Sequence, residues 1–219
     1  MGQAEQTRVL RVDAERNRDA LLCAARAVFA ERGTNAPLEE IARRAKVGIA
    51  TLYRRFPTRE ELLAAAFEPK LCAYAAASRA ACAEPDPWEG FCGFVRTVCR
   101  MQAGDAGFAD VVALTFPATA GLDDRLRRAT AGLDDVIRRA KAAGALRPDF
   151  VREDLIVLLM ANAGVINATY PHAPRAWERF AAYMLDAFRA PGASPLPKPV
   201  SRARLSLAGR RQAQEPGAD

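Results

Sequence analysis

The chain holds a single histidine, His172, and its five cysteines, at 23, 72, 82, 92 and 99, include no C-x-x-C pair. That shortage of donors argues against a zinc site, and no metal or cofactor is expected. If one helix carries Cys92 and Cys99, their spacing of seven sets them roughly 10 Å apart along its axis, beyond disulfide reach. The cysteines therefore read as small buried hydrophobes of a reducing compartment. Also lacking is any stretch near the roughly 18 uninterrupted apolar residues that a membrane span needs. The N-terminal MGQAEQTRVLRVDAERN is polar rather than a signal peptide, and Gln6 stands where a myristoylation signal carries Ser or Thr. A cytoplasmic protein with no membrane partner is the expectation. No run of alternating β-branched residues stands out, which points away from a sheet.

What is present is abundant apolar material, 50% of 219 residues, enough for a substantial core. The net charge of +6 is unevenly spread. Residues 1–60 carry 12 basic and 8 acidic groups, residues 61–190 carry 15 and 16, and residues 191–219 carry 5 and 2. Basic ends around a neutral middle suggest a polyanion-facing part joined to a body that faces something else.

Ala, Leu, Arg and Glu dominate, so the fold is predicted to be all-α. In Asp13–Arg32, Leu21, Leu22, Ala25, Val28 and Phe29 repeat at three and four, and Gly33 can end that helix. Pro37 can open a two-turn helix, LEEIARRA, with Leu38, Ile41, Ala42 and Ala45 inward. The connection AKVG leads to IATLYRRF, where Leu52 and Phe56 lie one turn apart and Ala50, Thr51, Arg54 and Arg55 fall on other sides. Pro57 stops it, and Thr58 with Glu61 forms a capping box for the next helix. Two short helices joined by about four residues and packed on a longer one make a helix-turn-helix, whose second short helix can enter the major groove.

The chemistry of this segment fits such a task. Between residues 42 and 60, Arg43, Arg44, Lys46, Arg54, Arg55 and Arg59 stand against a single acid, Glu60. Cations of this density bind phosphates, while Thr51 and Tyr53 offer hydroxyls to phosphate oxygens or base edges. Ala50 lets the backbone approach the groove. Tyr53 can equally pack its ring in the core, and Ile49 can close the core or touch a thymine methyl.

EEIARRAKVGIATLYRRFPTREELL, preceded by FAERG at 29–33, closely resembles the N-terminal DNA-binding domain of the tetracycline-repressor (TetR) family of bacterial transcriptional regulators. The resemblance covers about residues 13–68. It implies that Ile49, Ala50, Thr51 and Tyr53 face the operator and that Arg55 and Arg59 hold phosphates; the basic Arg43 and Arg54 complete the expected DNA-binding set. Three positions depart from the family pattern. Lys46 replaces a common turn glycine, which implies a left-handed lysine or a different turn. Ala36 replaces a Ser or Thr cap, and Gly48 replaces a serine.

The division expected is a three-helix helix-turn-helix domain over 13–68 with its motif at 38–56, a helical ligand-binding and dimerisation domain over 69–190, and a disordered basic tail over 191–219. In the middle part, Asp86-Pro87 opens a helix, a short one is expected near 108–114, and GLDDRLRRA and GLDDVIRRA repeat at eleven within one long helix. Two apolar helices follow. Their Leu155, Leu159, Trp177, Phe180, Met184 and Phe188 are the candidate homodimer interface, a four-helix bundle that the resemblance also implies. The family's body encloses a small-molecule effector; candidate lining residues are Trp88, Phe91, Phe94, Met101, Phe108, Phe116, Met160 and Asn162, with packing in the core as the alternative. The function expected is a repressor released from double-stranded operator DNA by that unknown effector. The alternatives are a DNA-compacting protein without sequence preference, suited to the tail's Arg202, Arg204, Arg210 and Arg211, and an all-α enzyme. Against the last, no nucleophile motif, phosphate-binding glycine loop or catalytic residue stands out.

Overall fold

The computed structural model describes residues 2–32, 35–104, 120–190, 194–201 and 204–205, with side chains left undescribed for 2–14, 30 and 120–129. Among these residues the regular structure is helical: α1 Gly2–Arg32, α2 Leu38–Arg44, α3 Ile49–Arg55, α4 Arg59–Ala83, α5 Pro87–Ala103, α6 Ala120–Ala142, α7 Arg152–Thr169 and α8 Ala176–Phe188. The only extended pairing among them is one isolated bridge between Leu146 and Arg189.

Two helices outrun their expected limits. α1 continues back to Gly2 because residues 3–12 contain no proline or glycine to stop it. α4 starts where expected, with the Thr58 hydroxyl accepting from the Glu61 N–H at 3.1 Å, and then passes through Pro69 to Ala83. Proline removes one helical hydrogen bond, but the buried row Leu63, Phe67, Leu71, Tyr74, Ser78 and Ala81 runs on past it. The residue 68/69 division thus falls inside a continuous helix.

The core of the first part is Leu21, Ala25, Val28, Phe29, Ile41, Leu52, Leu62 and Phe67, all essentially sealed from solvent, with the Phe29 and Phe67 rings 6.2 Å apart. Burying each large side chain contributes about 1.5–3 kcal/mol. In the body, Asp86 caps α5 by accepting from the Trp88 and Glu89 N–H groups at 2.8 and 3.3 Å. That cap points Trp88 and Phe91 into an aromatic cluster: Phe91 meets Phe150 edge-on at 5.4 Å, and Phe150 meets Phe188 at 4.9 Å.

The far end of α4 is held from two sides. Gly90 of α5 lies against the Ala81 carbonyl and Gly132 of α6 lies against Ser78, each too close to admit a Cβ without movement. Arg139 of α6 then donates to the carbonyls of Ala81, Cys82 and Glu84, taking up acceptors that a helix end leaves unpaired. α6 itself closes on Gly144 at φ 67, with Ala145 N–H bonding back to the Ala140 carbonyl.

The tail differs from the expectation at its start. Arg147, buried and paired with Asp149 at 2.6 Å, donates to the Ser194 carbonyl, and the Leu196 N–H donates to Asp149 Oδ2 at 3.0 Å. Backbone bonds from Arg147 to Phe188 and from Ala190 to Ala145 complete the strap. Most of 197–219, like the expected 108–114 helix with Phe108 and Phe116, lies outside the described residues or shows no contact that bears on function.

Candidate nucleic-acid interface

α2 and α3 are seven residues each, too short to stand alone. They are fixed by inward anchors, Leu38, Ile41 and Ala42 on α2 and Leu52 with Phe56 for α3. Ion pairs add orientation: Arg32 meets Glu40 at 2.6 Å and Arg44 meets Glu31 at 2.8 Å, tying α2 to the end of α1.

The turn between them is a Schellman closure built on lysine. Lys46 sits at φ 58, its N–H reaches the Arg43 carbonyl at 3.1 Å, and the Val47 N–H reaches Ala42 at 3.0 Å. The left-handed alternative is therefore the one realised, at a steric cost of roughly 1–2 kcal/mol. Val47 packs on the core, and Gly48 leads into α3 with no side-chain cap. No side chain therefore takes up the N–H groups that the start of a helix leaves unpaired.

The side chains expected at the operator sort by exposure. Ala50, Tyr53, Arg54 and Arg55 are exposed on α3, Tyr53 at 45%, so its ring is not a core group. Thr51 is half-exposed, and Ile49 is half-buried against the core, so it can both pack and present an edge. Arg43 is exposed and only loosely met by Glu40 at 3.8 Å. Arg59 is different: its guanidinium donates to the Ala36 carbonyl at 2.6 Å, bracing the loop before α2. Sequence reading gave no hint of this brace, because the partner is a backbone carbonyl 23 residues away.

In the body, Trp88, Phe91 and Phe94 are buried in aromatic packing, with Phe94 edge-on to Tyr74 at 5.2 Å. Met101 and Met160 are half-buried, and Asn162 is sealed and bonded to Gln102. Of the expected dimer residues, Leu155, Leu159, Trp177 and Phe188 are buried by the chain's own helices and have little surface left for a second copy. Phe180 and Met184 are half-exposed. Tyr183 on α8 is exposed, as are Val157 on α7 and the Ala161, Gly164 and Ala168 that follow it along one face of that helix. Sequence reading passed over those small residues because it sought large ones.

A rigid short helix presenting hydroxyl and guanidinium groups on a basic rim, set at a fixed angle by a preceding helix and turn, defines a helix-turn-helix DNA-binding regulator. The model of bacterial regulatory proteins of the tetR family matches residues 21–66, and that of the SbtR-like transcriptional regulator C-terminal domain matches residues 86–190. The chain belongs to the TetR family of sequence-specific DNA-binding transcriptional regulators. It is similar to a TetR transcriptional regulator of Streptomyces coelicolor at 34% identity over 80% of this chain and 99% of that one, TM-score 0.49. Fold likeness extends to RolR in complex with resorcinol, at 22% identity, 95% and 98% coverage and TM-score 0.51. FadR of Bacillus subtilis in complex with stearoyl-CoA gives 18% identity, 76% and 96% coverage and TM-score 0.55. No curated protein matches the chain.

Proposed function

We propose that the chain is a homodimeric repressor that reads a pseudo-palindromic operator through α3 and leaves it when a small molecule binds the body. The observation that carries the reading is the exposed row Ala50, Tyr53, Arg54 on a helix whose opposite side, Leu52 and Phe56, is locked into the core. One such head binds weakly; two joined by a dimer contact gain both half-sites together. The half-exposed Phe180 and Met184, with Val157, Tyr183 and the small residues of α7, supply a surface for pairing α7 and α8 with those of a second copy. The division into a reading head over 13–68 and a regulatory body over 69–190 is part of the proposal.

Ligand control has a physical route in α4. It begins directly after the recognition helix and ends gripped by Gly90, Gly132 and Arg139, so movement of α5 or α6 reaches the head through one continuous helix. A ligand exploits this only by preferring one arrangement of the heads over the other. That RolR holds resorcinol and FadR holds stearoyl-CoA supports a small-molecule effector here, with no one chemistry implied.

The test is a footprint and band-shift on DNA flanking the gene, repeated at rising salt. Equal affinity for operator and scrambled DNA would leave the DNA-compacting alternative instead. Tyr53→Ala is expected to weaken operator binding about tenfold or more, in the range of one lost base or phosphate contact, with helicity and dimerisation unchanged.

A further inference from the structure

Two amides are buried face to face in the body. Gln102, near the end of α5, and Asn162, in the middle of α7, are 1% and 0% exposed. Gln102 Nε2 donates to the Leu159 carbonyl at 3.2 Å, and Asn162 Nδ2 donates to Gln102 Oε1 at 2.8 Å. The chain of bonds fixes which atom is which. A backbone carbonyl accepts only, so Gln102 must turn its nitrogen to Leu159; its oxygen then faces Asn162, which must answer with nitrogen. The atom left over is Asn162 Oδ1, buried and without a hydrogen-bond partner among the described residues. An unpaired buried acceptor is costly and calls for an explanation.

We infer that this pair is the polar anchor of the effector site, and that the effector is an uncharged, mainly apolar molecule whose hydroxyl or N–H donates to Asn162 Oδ1. The inference rests on the ligand-responsive reading above and names its ligand class. The orphan atom accepts and does not donate, so a ligand group that only accepts gains nothing there. Charge is disfavoured because the stretch Leu155–Thr169 carries no ionisable group, and the buried α5 face, Phe91 to Gln102, offers only the thiols of Cys92 and Cys99, which burial holds neutral; Arg96 and Arg100 of that helix are exposed. A carboxylate or ammonium would be desolvated with no charged side chain on that α7 stretch or on the buried α5 face to pair with it.

The probes are straight-chain alkanols of four to ten carbons, the methyl ethers of the same alkanols, and the matching carboxylates. Full-length protein is titrated with each while its melting temperature and its release from operator DNA are followed. At least one alkanol is expected to raise the melting temperature and release the operator, with its ether and its carboxylate at least tenfold weaker. The double variant Gln102→Leu/Asn162→Leu, which removes both amides together, is expected to melt no lower than the parent without ligand, to retain operator binding, and to lose the alcohol-over-ether preference. If the single variant Asn162→Leu melts lower because it strands Gln102 Oε1, the double variant still decides. Equal binding of alcohol and ether, preference for the carboxylate, absence of response to every alkanol, or an unchanged preference in the double variant would each overturn the inference. In all of these the regulator reading stands as long as operator binding remains specific; loss of that specificity in the parent protein would instead overturn the regulator reading.

Discussion

Two glycines of α5, three residues apart, are expected to respond oppositely to the same substitution. Replacing a helical glycine with alanine gains about 0.5–1 kcal/mol by lowering the entropy of the unfolded chain, provided the added methyl has room. At Gly93 it has room, because a Cβ there meets nothing within 4 Å. At Gly90 the same Cβ would press into the Ala81 carbonyl oxygen and come within 3.3 Å of both the Ala81 carbonyl carbon and the Glu84 Cβ. The obstacle is backbone at the end of α4, itself held by Arg139, so it cannot turn aside as a side chain would. Overpacking of this kind costs about 1–3 kcal/mol, which outweighs the propensity gain. Gly93→Ala should therefore be more stable than the parent and Gly90→Ala less, with about 2 kcal/mol or more between them. For a chain of this length that gap is roughly 4–8 °C in melting temperature. The assay is urea and thermal unfolding of all three proteins at one chain concentration, since the proposed dimer would make stability concentration-dependent. If Gly90→Ala equals or exceeds Gly93→Ala in stability, the close approach of α5 to α4 is wrong.

The caps give a second expectation: Thr58→Ala and Asp86→Ala, which remove acceptors at 3.1 Å and 2.8 Å from N–H groups of α4 and α5, should each cost about 1 kcal/mol in urea unfolding. Cysteine reactivity should split by burial. Cys23 and Cys72 are exposed, whereas burial pushes the Cys92 thiol up to about 11 and Cys99 to about 12, so a thiol reagent at pH 8 should label the first two in the folded protein and Cys92 and Cys99 only with denaturant. The strap should loosen in acid: the Arg147 guanidinium first, then the Leu196 N–H, lowers the Asp149 carboxyl from 3.8 to about 2. A depressed folded value means the stabilisation is complete above the unfolded value and is lost as pH falls from about 4 through 2. Hydrogen exchange at Leu196 should accelerate over that window, and Asp149→Asn should abolish the pH dependence. Finally, Lys46→Gly should raise stability by about 1 kcal/mol by relieving the left-handed lysine, read as an increased urea midpoint.

How far the sequence was legible follows from how local each signal is. The α2–turn–α3 unit could be read because its determinants lie within a few residues: an apolar repeat, a proline, a capping threonine, and a lysine where the turn closes. Even there the reading left Lys46 open, because a left-handed lysine and an altered turn look alike until the Val47-to-Ala42 bond is seen. Periodicity also identified α7 and α8 as apolar but could not say which apolar side the chain covers for itself. Leu155 and Leu159 face inward while Val157 faces out, and the outer row continues through Ala161, Gly164 and Ala168, too small to register as hydrophobic signal yet well suited to close helix contact. Least legible were the bonds that join distant residues through one polar group. Arg139 reaches Cys82 across 57 positions and Asn162 reaches Gln102 across 60, and nothing in either neighbourhood marks the partner. Asn162 could be picked out as a polar residue in an apolar helix, but only the bond to Gln102 shows that its oxygen, and not its nitrogen, is the atom left wanting a partner, and that turns a polar residue in a core into a statement about what the proposed ligand would have to donate.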